Sequence, residues 1–378
     1  MKTDIVVIGG GLTGTAIAWF LAREGAEVTL LEAGDLNTQA SGTNAGSIHL
    51  QIPHPEFVKL GADWARAYAP SLRLLRASLE MWQTLPDELG VDLDVKLAGG
   101  LVVATTDTQM RQIEAKAQIE RAAGVETEIL TREDLRRIAP YLTTDAIGAG
   151  FCAMEGKANP LRATPALAAA ARAAGAIIRT HMPVTGLEPT AGGYRITTPE
   201  GPVHARRVIN AAGARAAEIG ALLGLRIDLQ GFALQVTATQ ALAPLIPHLV
   251  YSAAGKLSVK QARNGTCLIG GGWAARQRVN GTLSLIPANL SGNLATAAQV
   301  IPALESAQTV RTWTAIVNGT ADWRPIIGEV PGHNGFFLAL FPWMGFSAGP
   351  MTARLVADMV LGHPPRLSLK GISVLHDG

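Results

Sequence analysis

One short stretch near the N-terminus restricts this chain more than anything else in its sequence. Ile5-Val6-Val7-Ile8 is an apolar, β-branched run of the kind that forms a buried parallel strand. Gly9-Gly10-Gly11-Leu12-Thr13-Gly14 follows at once and satisfies G-x-G-x-x-G. A helical pattern then occupies residues 12–23, and a second strand over 27–31 ends at Glu32. Each part has a physical task. Gly9 permits the tight turn, Gly11 lets backbone approach a pyrophosphate, and Gly14 lets helix and strand pack closely. The helix N-terminus, at Leu12 and Thr13, offers unpaired N–H groups and a positive dipole end to phosphates. Glu32, followed by Ala33, stands roughly 20 residues past the glycines, where a carboxylate accepts hydrogen bonds from ribose hydroxyls. Strand, turn, helix, strand and carboxylate in this order predict an α/β fold with a Rossmann-like dinucleotide-binding domain. Taken alone, this unit suits NAD and FAD equally.

The same stretch also has to be weighed as a membrane segment, because residues 5–22 carry no charge. Glycines break it near its start and no small-residue cleavage pattern follows, so strand, turn and helix is the better reading. No other stretch approaches a membrane span, and no integral membrane segment is expected. A net charge of +2 without a run of like charges gives no nucleic-acid footprint. The two cysteines, Cys152 and Cys267, lie far apart and form no C-x-x-C pair. They predict neither a metal nor an iron–sulfur site within this chain, nor a disulfide framework. Two reduced buried thiols suit a cytoplasmic enzyme. With 378 residues, 48% of them hydrophobic, the chain can build two structural lobes.

Other motifs lie further along. Ala40-Ser41-Gly42-Thr43-Asn44-Ala45-Gly46-Ser47 reads as a small polar loop whose N–H groups can converge on a large ligand. Asn159-Pro160 has the form of an N-cap and first helical position, with a helix to about residue 174 and a strand over 176–180. Strands over 194–198 and 203–210 make a hairpin around Pro199-Glu200-Gly201, and the second ends in Asn210-Ala211-Ala212-Gly213. Near the C-terminus, Asp322-Trp323-Arg324-Pro325-Ile326-Ile327-Gly328 precedes a buried strand over 335–340. Gly345-Phe346-Ser347-Ala348-Gly349-Pro350 then reads as a glycine-rich turn leading into a helix over 351–361.

With these motifs the chain resembles, over essentially its whole length, the D-amino-acid oxidase, glycine oxidase and sarcosine oxidase superfamily of flavoproteins, the DAO family. The resemblance implies FAD rather than NAD. It implies that Ser41, Thr43, Asn44, Ala45 and Gly46 run beside the pyrophosphate and flavin ring. It also places Val184 against the adenine, Ala211, Ala212 and Gly213 near the FAD, and Met344, Gly345, Phe346 and Ser347 at the flavin pyrimidine edge. The implied FAD-binding domain is discontinuous (1–88, 145–225 and 320–378). Residues 89–144 and 226–319 would form a mixed-sheet substrate domain, with strands over 100–104, 234–238, 257–261 and 266–270. The implied reaction is oxidation of the C–N bond of an amino-acid-like amine to an imine by hydride transfer.

Three departures from the family bear on mechanism. Covalent flavin attachment uses a cysteine before the aspartate–proline stretch or a histidine in the early loop. Here Arg311-Thr312-Trp313-Thr314-Ala315 and Asn44 occupy those places, so FAD is expected to be non-covalent. The arginine that clamps the substrate carboxylate in glycine-oxidase-like members is replaced by Val317, which leaves Arg324, Lys260 and Arg263 as the cations to consider. Finally, Ser41–Gly46 with His49-Leu50-Gln51, and Gly156-Lys157-Ala158-Asn159-Pro160, resemble the flavin-bearing subunits of opine dehydrogenases, D-hydroxyproline dehydrogenases and hydrogen cyanide synthase. That likeness implies partner subunits carrying flavin or iron–sulfur centres. His49 and Gln51 are expected to point into the cavity. The aromatic run Phe341-Pro342-Trp343-Met344 is expected either to cover the flavin or to form an exposed docking patch.

Overall fold

A computed structural model describes residues 1–372 and 374, and within it the chain builds two eight-stranded sheets. The first is ordered 326–329, 336–340, 201–210, 2–8, 28–31, 177–179, and strands 193–198 and 186–190 extend it beside 201–210. Lys2–Ile8 lies at its centre, parallel to both neighbours, with Val6 opposite Val208 on one side and Thr29 on the other. Ile5, Val6 and Val7 have no solvent exposure. An unbroken apolar run is therefore what this position demands, since both sheet faces are covered. Helices Leu12–Arg23, Pro160–Ala173, Gly345–Leu361 and Pro70–Leu89 pack against one another over one face.

The second sheet is ordered 309–319, 230–241, 266–270, 258–261, 249–252, 100–104, 148–152, 128–131. It is antiparallel except where Leu249–Ser252 runs parallel to Gly100–Ala104. Strand Gly148–Cys152 belongs to this sheet, so the return to the first sheet falls after it rather than at residue 145.

The expected elements are present with shifted ends. The second Rossmann strand is Val28–Leu31, and Asn159 caps the helix Pro160–Ala173 by accepting from the Leu161 N–H at 3.0 Å. Two expectations need correction. The segment read as a loop over residues 40–47 contains a turn of helix at Ala40–Thr43. The closing helix begins at Gly345 rather than at residue 351. Pro350 lies inside it, where it forfeits the backbone hydrogen bond to residue 346 and crowds that carbonyl, a local cost the packed helix bears.

Candidate cofactor and substrate site

The glycine motif is close-packed on its own surroundings. A Cβ at Gly14 would lie 1.9 Å from the Gly9 carbonyl oxygen, and one at Gly9 would lie 2.6 Å from the Ala211 carbonyl oxygen. Gly9 also has φ +109°, a conformation that side chains resist. The expected dinucleotide residues are thereby brought together. Glu32 accepts from the Gly10 N–H at 2.6 Å and the Gly34 N–H at 2.8 Å, and Ala33 is exposed just beyond the strand. Ser41 Oγ accepts from the Leu12 N–H at 2.9 Å. Met182 donates to the Glu32 carbonyl, which sets half-buried Val184 next to this end.

Both helices that face the site lack a side-chain cap, with Gly11 and Met344 at their N-cap positions. Thr13 on the first helix, and Gly345, Phe346 and Ser347 on the second, fall within the first turns, whose N–H groups have no intrahelical acceptor. A Cβ built on Gly213 or Gly345 would meet no protein atom within 4 Å, so backbone is bare there. Uncapped donors at two helix ends and bare backbone between them fit a long dianionic ligand with an electron-rich ring at one end.

Several expected ligand residues serve the protein itself. Asn44 donates to the Ala40 and Ser41 carbonyls at 3.0 and 2.7 Å and accepts from the Gly46 N–H at 2.7 Å, which locks the loop. The Thr43 carbonyl accepts from Trp313 Nε1 at 2.7 Å. Ser347 accepts from the His49 N–H at 2.8 Å, and its carbonyl receives Ser78 Oγ at 2.7 Å and Trp82 Nε1 at 3.1 Å. It fastens three segments and leaves only its own N–H for a ligand.

Beside these residues opens a cavity of about 730 Å³, lined by Thr43, Asn44, Ala45, Met344, Phe346 and Ser347 on one side and by the second sheet on the other. Phe232, Trp343 and Trp323 form its aromatic wall, with ring centroids 4.5 and 4.9 Å apart. Trp323 and Trp343 both carry positive φ, a backbone strain held at the cavity edge. Trp343 and Met344 line the cavity and Phe341 is buried, so this aromatic run is not an exposed patch.

Val317 lines the cavity, as expected from its place in the sequence. The cations considered as replacements for the missing arginine divide clearly. Arg324 pairs with Asp322 at 2.9 Å and is not among the cavity-lining residues. Arg263 is spent on Asp92 and Asp94 at the surface. Lys260 is buried behind the wall, where its ammonium donates to the hydroxyls of Ser47 and Ser258, both of which line the cavity. Burial, reinforced by the Lys157 charge, pushes it down to about 7. Lys59 and Lys256 stand at the cavity wall, exposed, and nothing in the sequence distinguishes them from other surface lysines.

His49 and Gln51 both border the cavity, but they differ. Gln51 is saturated: it donates to Glu155 at 2.9 Å and the Gly100 carbonyl at 3.3 Å, and accepts from Lys116 at 3.2 Å. His49 is half-buried, with Nδ1 2.6 Å from the Tyr251 hydroxyl and Nε2 free of any protein partner. Burial, then the Lys260 charge, pushes His49 down to about 3, so its ring is neutral. Behind it lies a fully buried network that no local sequence pattern announces. Glu155 accepts from the Leu50 and Gln51 N–H groups at 2.6 and 2.8 Å, and Lys116 pairs with Glu120 at 2.5 Å. The pairing has the form of an ordinary i,i+4 surface pair, yet both side chains are wholly inaccessible.

The fold and this donor set define a flavin-dependent oxidoreductase. The chain belongs to the DAO family, whose model, described as FAD dependent oxidoreductase, matches residues 4–359, and its cofactor is FAD. The chain is 30% identical to a subunit of the opine oxidase of Agrobacterium tumefaciens, over 89% of this chain and 88% of that one. It is 28% identical to glycine oxidase of Geobacillus kaustophilus, over 95% and 93% respectively. The crystal structure of glycine oxidase from Geobacillus kaustophilus superimposes with a TM-score of 0.86 and 26% identity, covering 100% of both chains. Among the described residues, no helix is long and apolar enough to cross a membrane, and no group of three or more His, Cys, Asp or Glu could hold a metal.

Proposed function

We propose that the chain oxidises the C–N bond of a secondary-amine amino acid, an opine or hydroxyproline-like compound, to an imine, as the catalytic subunit of a heteromeric cytoplasmic dehydrogenase. The observation that carries this reading is the cavity wall at Val317. An apolar residue stands where a small amino acid would need a cation, and the rest of that wall is built of aromatic rings. Such a wall suits a larger, N-substituted substrate over glycine. When bound, FAD supplies the two-electron acceptor for the hydride leaving the substrate carbon. The protein orients the substrate between the aromatic wall and the 345–347 helix end. It excludes water with Trp343 and Met344, and directs the Gly345, Phe346 and Ser347 N–H groups at the edge where negative charge develops.

Asn44 and the cysteine-free 311–315 segment support non-covalent FAD. The relative named as a subunit, and the lack of a metal cluster among the described residues, support electron exit through partner chains. The full-length match to a glycine oxidase favours a second reading, a stand-alone peroxide-forming oxidase. The test is anaerobic bleaching of the protein's flavin absorbance by N-(1-carboxyethyl)arginine, proline, N-methylglycine and glycine, followed by dye reduction and oxygen uptake. Bleaching by the larger secondary amines, with slow oxygen uptake, is expected. Bleaching by glycine alone, or peroxide release as fast as dye reduction, would defeat the proposal.

A further inference from the structure

An amino acid in water carries its amine as ammonium, which cannot release hydride until a proton is lost. Amine oxidation in this cavity therefore needs a place for that proton. Among the groups lining the cavity, His49 has the required form: Nδ1 is bonded to Tyr251 and Nε2 is free of protein partners. A lone histidine this strongly desolvated would be a poor place to leave a proton, because imidazolium is disfavoured by burial and by Lys260. The groups behind His49 supply a better one.

Tyr251 sits on strand Leu249–Ser252, and its side chain feels the nearby charge of the Glu155 carboxylate, which is wholly buried. Glu155 already accepts three N–H bonds, from Leu50, Gln51 and the Gln51 side chain. The proton inventory closes when the Tyr251 O–H serves as a further donor to this carboxylate. The Tyr251 oxygen must then accept from His49 Nδ1–H, and His49 is left with a lone pair at Nε2 facing the cavity. The charges agree. Glu155, Lys116 and Glu120 together carry one negative charge when all are ionised, and one added proton brings the buried set to neutrality. Burial raises Glu155 above the usual carboxylate range, which favours its holding that proton. Cys152 also lies near Tyr251 and is held neutral by burial. His54 lies near Lys116 and is likewise neutral.

We propose that the substrate's ammonium proton is relayed through His49 and Tyr251 to Glu155, with His49 as the catalytic residue and the other two as positioning and accepting groups. The step balances. The ammonium N–H bond breaks as Nε2–H forms, Nδ1–H breaks as a new Tyr251 O–H forms, and the original Tyr251 O–H breaks as Glu155 gains O–H. No imidazolium accumulates. The substrate is left as a neutral amine, and the electron pairs stay within the chain of hydrogen bonds.

The relay rests on the amine-oxidising reading, and two measurements separate the two. The first needs no substrate: long-range ¹H–¹⁵N spectra of the histidine-labelled holoprotein, with His49→Gln to assign the resonance. The Nδ1–H tautomer is expected near pH 7, reverting to Nε2–H in Tyr251→Phe. An Nε2–H or charged His49 in the unmutated protein would overturn the relay. The second is flavin bleaching by N-(1-carboxyethyl)arginine and by proline. Tyr251→Phe should be slower by about a hundredfold near pH 7, a typical general-base contribution, and should recover steeply toward the unmutated rate as pH rises to about 10, where a far larger share of the amine is already neutral. Equal slowing at both pH values would mean a structural role only and would overturn the relay. If neither amine bleaches the unmutated protein, the functional reading fails, and the tautomer still decides the relay.

Discussion

The dinucleotide end of the site, at residues 9–14, and the cavity wall around Glu155 both hold polar groups away from water, by opposite means. At the first, side chains are removed: Gly9 and Gly14 let backbone meet backbone, with no room at either for even a methyl group. At the second, charged side chains are driven inward, where Glu155, Lys116 and Glu120 have no exposure and satisfy one another and nearby N–H groups. A backbone cradle tolerates no added atom. An ionic wall fails when one member of a buried pair is removed and the other is left without its counter-ion.

That contrast can be broken at its strong end first. Gly14→Val should give no folded yellow protein, because its Cβ would sit 1.9 Å from the Gly9 carbonyl oxygen. Flavin absorbance and circular dichroism of the purified variant check this, and retained FAD would mean the cradle has been misplaced. Lys116→Met should cost about 3–5 kcal/mol by leaving Glu120 buried without its counter-ion. The urea midpoint reads the loss, and adding Glu120→Gln should restore part of it if charge count is what matters.

Acid should weaken the wall ahead of the cradle. Burial pushes His49 down to about 3 and His54 down to about 4, from an ordinary 6.5. Their neutral forms therefore contribute stability that is full above about 6.5 and is lost as pH falls through about 4 and 3. Urea midpoints should fall across that window, and His54→Leu should flatten the slope. A midpoint independent of pH there would contradict the assignment. Glu32→Ala should weaken FAD binding by roughly 1–3 kcal/mol, as measured by FAD titration of the apoprotein. Arg324→Ala is expected to do least, under about 1 kcal/mol on stability and nothing to amine affinity, since its partly exposed pair with Asp322 lies off the cavity. A large loss of amine affinity would return Arg324 to the site.

The same contrast explains what could be read from the sequence. The cradle is a local pattern: strand, glycines, helix and Glu32 are consecutive, and backbone geometry allows few residue types at Gly9 and Gly14. The place of Val317 on the cavity wall was legible because it sits at a fixed distance from Pro325 and Gly328. The ionic wall is assembled from segments around residues 51, 116, 155 and 251, and no local pattern joins them. Lys116 and Glu120 even carry the spacing of a solvent-exposed helix pair. Pro350 misled in another way. Proline is a common helix boundary, but here it is held within a helix packed on the Leu12–Arg23 helix and so marks no end.

The fastening at Ser347 has a bearing on how the protein comes to exist. Its hydroxyl and carbonyl tie residue 49 and residues 78 and 82 to a helix 265 to 298 positions further along, and strand Phe336–Leu340 joins the first sheet only from the same late stretch. A chain emerging from the ribosome therefore displays its glycine turn long before the opposite jaw of the site has been synthesised. Firm retention of flavin becomes a sign that translation has passed the Gly345–Leu361 helix, and a cell that degrades cofactor-free chains would thereby remove copies that stop before it.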